Sequence, residues 1–442
     1  MDDQPTNNPV QSPETIAEKV HSILMLGTML LACGAGAYRV KAAMSRAAKA
    51  IGLTRLESSV SMTDITATAW RGQESYTSFA EQRRVGVNAE KLDRIMQGVA
   101  HLHEGMTAND LLTMLRETSA KDRHYGLWTT VLASAVACAG FCFLNGGRSV
   151  ECATVFFAAG IGQLIRKLLL GRGYAHFLTW ILCAVASTLV YILLLEAGHA
   201  GGLLVLHQYE SGLISSILYL IPGFPLTTAM LDFVRNDTQS ALARFSYCIM
   251  VIGSAGVSVW VVVHTLDWQV EPGVTEPLSF WTMTFLRILT SFVAAYGFAI
   301  LFNAPWKVCT AAAVAGAFAN TGRLLLQENV NLPWQLGVGL AAMVVGIVAT
   351  LVAWQTSHSR VSLSVPAVVI MIPGVPFYRA LVAINEGDFQ SALAIFAKVF
   401  FVIMSIGFGL AIARVVMDEG WRHDTDTSHL PDTLETDIRD AV

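Results

Sequence analysis

Chemistry in this chain gathers where helix breakers and polar groups interrupt apolar runs. From Tyr219 the chain reads YLIPGFPLTTAMLDFVRNDTQSALARFS, and from Met371 it reads MIPGVPFYRALVAINEGDFQSALAIFA. Pro222, Gly223 and Pro225 in the first stretch match Pro373, Gly374 and Pro376 in the second, with no gap. Asp237 matches Asp388, and QSALA occurs in both. Apolar letters recur by chance, but this order of Pro, Gly, Asp, Gln and Ser indicates a duplication. Each first proline lacks an N–H and clashes with the preceding turn, so a helix must break there. The glycine permits an unwound backbone, and the second proline suits the first turn of a new helix. A half-helix N-terminus offers N–H groups and partial positive charge to an anion such as a carboxylate. Two such breaks therefore predict a binding site for a small anionic or zwitterionic solute. Thr227 and Thr228 follow the first break, and Tyr378 and Arg379 the second. Their hydroxyls and guanidinium could line the site, although Thr hydroxyls also bond to their own helix.

Other polar residues in apolar segments are candidates for coupling or gating: Arg287, Asn320, Arg323 and Lys398, with the matched Asp237 and Asp388. Charge inside a membrane is costly and marks function by default. For the two aspartates, N-capping of the QSALA helices is the competing role, and for Arg323 the competing role is snorkelling.

The elements that position these residues follow from composition. The 442 residues are 54% hydrophobic and 14% charged, against about a quarter charged in soluble domains. Mean hydropathy is positive, which points to a membrane protein. A slightly negative net charge gives no footprint for nucleic acid. Seven cysteines show no zinc spacing, HLHEG (101–105) alone is no metal signature, and no cofactor or metal is expected. About ten segments have spanning length, near 127–145, 150–170, 175–196, 204–231 and 245–265, then 280–302, 308–326, 334–355, 362–384 and 392–416. The expected organisation is a polar tail over 1–13 and a small α/β domain over 14–125. Membrane repeats over 126–266 and 280–417 follow, then an acidic tail over 418–442. The apolar run 21–37 is read as a core helix of the α/β domain, with a membrane span as the alternative, and SSVSMTDITATAW as a strand.

Five spans per repeat is an odd number, so the second copy must enter the membrane upside down. Inverted repeats are a signature of secondary transporters. Lys and Arg concentrate in alternate connections (Arg166, Lys167 and Arg172, then Arg235 and Arg244, then Lys307, then Arg360, then Arg414 and Arg422), with Arg148 the exception. The positive-inside rule then places the α/β domain and both termini in the cytoplasm. The fold class expected is a polytopic α-helical membrane protein of two inverted five-helix repeats behind a small cytoplasmic α/β domain.

At GAGAYRVKAAMSRAAKAIGL and at the paired PGFP…QSALA and PGVP…QSALA, the chain resembles the threonine/serine exporter family, over nearly everything from Glu14 to Met417. Lys41 stands where that family carries an acidic residue after YRV, and Ala37 where it carries Glu. The resemblance is to the single-chain form. It implies proton-driven export of threonine and serine from the bacterial inner membrane. Split forms are associated with dicarboxylate export, which remains the alternative solute. The expected partners are such a solute, protons, lipid and, as an open option, a second copy of the chain. A ligand-gated channel or sensor is a further alternative. A membrane enzyme is not expected, because no GxSxG elbow or Walker loop is present.

Overall fold

The computed structural model describes residues 14–83, 86–119, 125–202, 210–268, 278–356 and 358–422. The polar start over 1–13 and the acidic end beyond Arg422 lie outside the described residues.

The N-terminal domain begins with α1 (Ile16–Ala32) and α2 (Ala37–Ala50). A capping box starts α1: Glu18 N–H donates to Thr15 Oγ1 at 3.3 Å, and Thr15 N–H to Glu18 Oε2 at 2.8 Å. Three antiparallel strands follow in the order β1 (Arg55–Val60), β2 (Asp64–Arg71) and β3 (Glu74–Glu81), with Ser58 opposite Ala67 and Ala67 opposite Ser78. The stretch expected as one strand is thus two, folded at residues 61–63, where Ser61 N–H bonds Asp64 O at 2.9 Å. No apolar alternation announced β3, because most of its side chains are exposed. Helices α3 (Ala89–Ala100) and α4 (Ala108–Ser119) complete the domain. Val20, Ile23, Leu26 and Leu30 of α1 are fully buried in one core with Met44, Ile65 and Ala67. A Cβ on Gly27 would fall 2.6 Å from Ile65 Cδ1 and 2.7 Å from Met44 Sδ, so the helix lies almost on the sheet. The apolar run near residue 21 is therefore a domain core helix.

The membrane part comprises α5 (Leu127–Leu144), α6 (Ser149–Gly171), α7 (His176–Ala200), α8 (Glu210–Ser215), α9 (Gly223–Val234) and α10 (Thr238–Thr265). It continues with α11 (Phe280–Leu301), α12 (Trp306–Asn329), α13 (Trp334–Gln355), α14 (Arg360–Val369), α15 (Gly374–Asn385) and α16 (Phe389–Met417). Among the described residues, eight helices are long and apolar enough to cross a membrane. Two further apolar helix pairs are bent, by 71° between Leu220 and Gly223 and by 53° between Val369 and Gly374, which makes up to ten spans if each bent pair crosses once. Large apolar side chains such as Trp128, Phe157, Met250, Phe285 and Leu393 stand exposed on the outside. Small residues line the contacts within. A Cβ on Gly140 would lie 2.9 Å from Thr290 O, and one on Gly297 only 2.6 Å from Ala133 O. Without a hydrophobic drive between helices in lipid, such close backbone approach carries the packing.

The N-terminal domain covers one end of the bundle, here the near end. Ala89 N–H bonds Phe302 O at 2.9 Å, and Asn303 Nδ2 donates to Asn88 Oδ1 at 2.8 Å. Tyr125 OH donates to Ala304 O, and burial pushes that phenol's pKa upward. Buried Asp93 of α3 accepts from Ser359 N–H at 3.1 Å, Ser362 Oγ at 2.8 Å and His358 Nδ1 at 3.1 Å, and so caps α14. After α16, the short helix α17 (Glu419–Arg422) returns Trp421 onto Tyr38, with ring centroids 5.8 Å apart, and between the guanidinium groups of Arg235 and Arg414.

Candidate functional site

The two breaks have nearly the same geometry. Pro222 lies at φ −78°, ψ 60° and Pro373 at φ −81°, ψ 69°. Both are the centres of inverse γ-turns. Gly223 N–H reaches back to Ile221 O at 2.8 Å, and Gly374 N–H to Ile372 O at 2.9 Å. Pro225 and Pro376 fall in the first turns of α9 and α15, where a helix has no partner for an N–H.

The breaks press on each other reciprocally. A Cβ on Gly223 would meet Val369 Cγ2 at 2.8 Å and Ile372 Cδ1 at 3.3 Å. One on Gly374 would meet Leu218 Cδ2 at 2.8 Å and Ile221 Cδ1 at 3.1 Å. Leu218 and Ile221 precede Val369 and Ile372 by the same 151 residues that separate Pro222 from Pro373. Matched positions therefore pack on each other reciprocally across the two breaks. Between the breaks lies a cavity of about 20 Å³ lined by Ile217, Ile221, Gly256, Gly374 and Tyr378 among others. It is apolar and has room for about one water.

Of the sequence-derived site residues, the structure joins the Pro–Gly breaks and Tyr378. Thr227 Oγ1 donates to Gly223 O at 2.9 Å, and Thr228 Oγ1 to Phe224 O and Pro225 O at 3.0 Å, so both hydroxyls bond their own helix. Arg379 is exposed. Asp388 caps α16 by accepting Ser391 N–H at 3.0 Å, and its bonds to Ser391 hold its pKa below the usual carboxylate value. Asp237 makes no such cap, and pairs with Lys41 instead. Arg287 Nη1 donates to Glu328 Oε2 at 2.6 Å. Arg323 gives Nε and Nη2 to Asn320 Oδ1 at 3.1 and 2.7 Å, and Asn320 Nδ2 donates to Ser291 Oγ at 2.9 Å. Lys398 is exposed and has no polar partner among the described residues. Arg287 and Glu328 also border a cavity of about 1250 Å³ between α5, α6, α11 and α12 at the far end, with no wall from either bent span.

Two polar clusters were not anticipated. In the first, Asp232 Oδ2 accepts from Arg244 Nε at 3.2 Å and Ser240 Oγ at 3.0 Å, all buried. Asp232 Oδ1 accepts Ala37 N–H at 3.0 Å, and Arg244 Nη2 donates to Ala35 O at 2.6 Å. The N-terminal domain thus plugs directly onto α9 and α10. The positions 151 residues later are Ala383 and Ile395, so the second half lacks the pair. A lone acid in an apolar helix, unmatched in the other copy, was the available signal. In the second cluster, carbonyls freed by the first break find donors on α6 and α7. Arg166 Nη1 donates to Tyr219 O at 3.3 Å, and Trp180 Nε1 to Leu220 O at 2.9 Å.

Two family models match the chain. One, described as "Putative threonine/serine exporter", covers residues 21–266, and another, "Threonine/Serine exporter, ThrE", covers 287–416. The chain is 27% identical to the "Probable succinate transporter subunit YjjP" of Escherichia coli over 258 residues, 58% of this chain and 93% of that protein. The Klebsiella aerogenes protein of the same name is 27% identical over 243 residues, 54% of this chain and 90% of that protein. The "Probable threonine/serine exporter" of Mycobacterium tuberculosis is 23% identical over 386 residues, 83% of this chain and 70% of that protein. No solved structure matches.

Proposed function

The chain belongs to the threonine/serine exporter family, and from that premise we propose that it is a proton-coupled secondary exporter of threonine and serine. In this reading the halves are inverted repeats that exchange access between the two sides of the bacterial inner membrane. The reciprocal packing of the two breaks carries the proposal. Such pairing of broken helices is the arrangement that lets one site open alternately to two sides. Connections at the near end hold Arg172, Arg235, Lys307 and Arg360, which supports placing that end and the N-terminal domain in the cytoplasm.

The breaks at Pro222–Pro225 and Pro373–Pro376 shape the central site. Thr227, Thr228, Tyr378 and Arg379 reach solute only when the breaks part, because the space of about 20 Å³ between them is too small for one. The N-terminal domain covers the near end, which fits a state closed toward the side on which that domain lies.

A dicarboxylate is the second reading of the solute, favoured by the names of the two succinate transporter subunits to which the chain is similar. Efflux from cells preloaded with a threonine-containing dipeptide tests both. Serine and succinate run in parallel, with and without an uncoupler. Faster threonine efflux that collapses with the uncoupler supports the proposal. Succinate efflux alone changes the solute class and keeps the mechanism. No efflux of any of the three, with the protein present in the membrane, refutes it.

A further inference from the structure

We propose that Arg166 is the anchor for the solute's carboxylate, in a subsite on α6 and α7 beside the first break; the inference rests on the exporter reading above. Arg166 stands five residues before the end of α6, and its side chain runs inward to the break. Among the described residues only Nη1 is bonded, to Tyr219 O at 3.3 Å and Gln163 Oε1 at 3.5 Å. The guanidinium carbon lies 4.3 Å from the centroid of the Trp180 ring, which holds the plane in place. Among the described residues the buried Nε has no hydrogen-bond partner, and Nη2 makes no bond. Nε and Nη2 form the edge with which arginine grips a carboxylate through two parallel bonds.

Three other arginines of the bundle face a carboxylate, whereas Arg414 meets the Tyr38 and Trp421 rings. Arg244 faces Asp232, Arg287 faces Glu328, and Arg360 faces Asp418. In the second half, RLLL from Arg323 parallels KLLL from Lys167, and the Nε–Nη2 edge of Arg323 is filled by Asn320. Arg166 has no carboxylate within ion-pair distance among the described residues. Arg166 is half-buried near the end of α6, and leaving its buried Nε without an acceptor is costly. The solute supplies the missing charge when the breaks part.

The wall beside it is polar in a way that suits a hydroxy amino acid. Tyr219 OH and Ser187 Oγ are 2.9 Å apart and fully buried. Gly162 makes room for them, since a Cβ there would fall 2.0 Å from Ser187 Oγ and 2.1 Å from Tyr219 OH. At the near side His176 stacks on Trp180 at 3.9 Å and bonds Tyr247 OH at 2.7 Å.

The test uses the full-length protein in proteoliposomes, with threonine uptake measured in competition with threoninol, which lacks the carboxylate. Wild type should prefer threonine over threoninol by about 10- to 100-fold, the range of a charge-assisted pair. Arg166→Gln should raise the threonine KM by that factor and abolish the preference. Arg166→Lys should retain part of it. A purely structural role, satisfying the carbonyls of the broken helix, would lower the maximal rate or the amount of protein and leave the preference intact. An unchanged preference in Arg166→Gln at equal membrane abundance overturns the inference and leaves the exporter reading standing. Wild-type protein that moves neither threonine nor succinate overturns the reading and the inference together. If succinate alone is carried, its monoamide replaces threoninol and the same ratio decides.

Discussion

Asp232→Ala removes one member of a buried ion pair and strands the other. Arg244 would keep bonds to Ala35 O and Ser240 Oγ but lose its countercharge, and Ala37 N–H would lose its acceptor. Breaking a buried pair by removing one partner costs about 3–5 kcal/mol. Arg244→Ile should cost a similar amount by stranding the carboxylate. The second half shows what replaces the pair without charge, since Ala383 and Ile395 occupy the matched positions. Apolar replacement of both members is often neutral or better. The double variant Asp232→Ala/Arg244→Ile should therefore restore the melting temperature of the bundle to near wild type. It should still weaken docking of the N-terminal domain, because two hydrogen bonds to residues 35–37 are gone. At about 0.5–1.5 kcal/mol each, the loss is about 1–3 kcal/mol. Thermal unfolding in detergent measures the first quantity, and hydrogen exchange of a peptide covering residues 33–37 measures the second. Exchange there should rise about 5- to 100-fold in the double variant. A stable Asp232→Ala single variant, or a double variant as damaged as the singles, would refute the ion-pair reasoning. Unchanged exchange at 33–37 would refute the docking reasoning.

Three further outcomes are expected. Gly223→Ala and Gly374→Ala should each cost about 1–3 kcal/mol by overpacking the crossing of the breaks. Melting temperatures should show the first relieved by Val369→Ala and the second by Leu218→Ala, because those side chains approach to 2.8 Å. Asp93→Ala should cost about 1–3 kcal/mol by leaving Ser359 N–H and Ser362 Oγ without their acceptor, read from the same melts. Glu18 is held below its ordinary value of 4.5 by bonds from the Thr15 backbone and hydroxyl. Its contribution to the α1 cap should be fully present above pH 4.5 and fade as pH falls through the lowered folded value. Glu18→Gln should remove that acid-dependent step, measured by exchange at the start of α1 as pH is lowered.

What the sequence settled lies in local chemistry. Apolar runs of spanning length became eight long helices and two bent ones, because a greasy helix has few alternatives. Both bends fall at the predicted prolines, since a missing N–H and a ring clash act within one turn whatever surrounds them. The strand β3 escaped notice because its outward faces carry no apolar alternation, and its partner alone defines it. Only the tertiary structure decided which polar groups meet. Ala37 and Asp232 are 195 positions apart, and Arg166 and Tyr219 belong to different helices. The same structure turned Thr227 and Thr228 back on their own helix, and gave Asp237 to Lys41 while Asp388 kept its cap. Residue type states which bonds a side chain can make. The unsatisfied Nε of Arg166 becomes visible only when every neighbour within reach has been brought there by the fold, because hydrogen bonds and ion pairs act over a few ångströms of space and not along the chain.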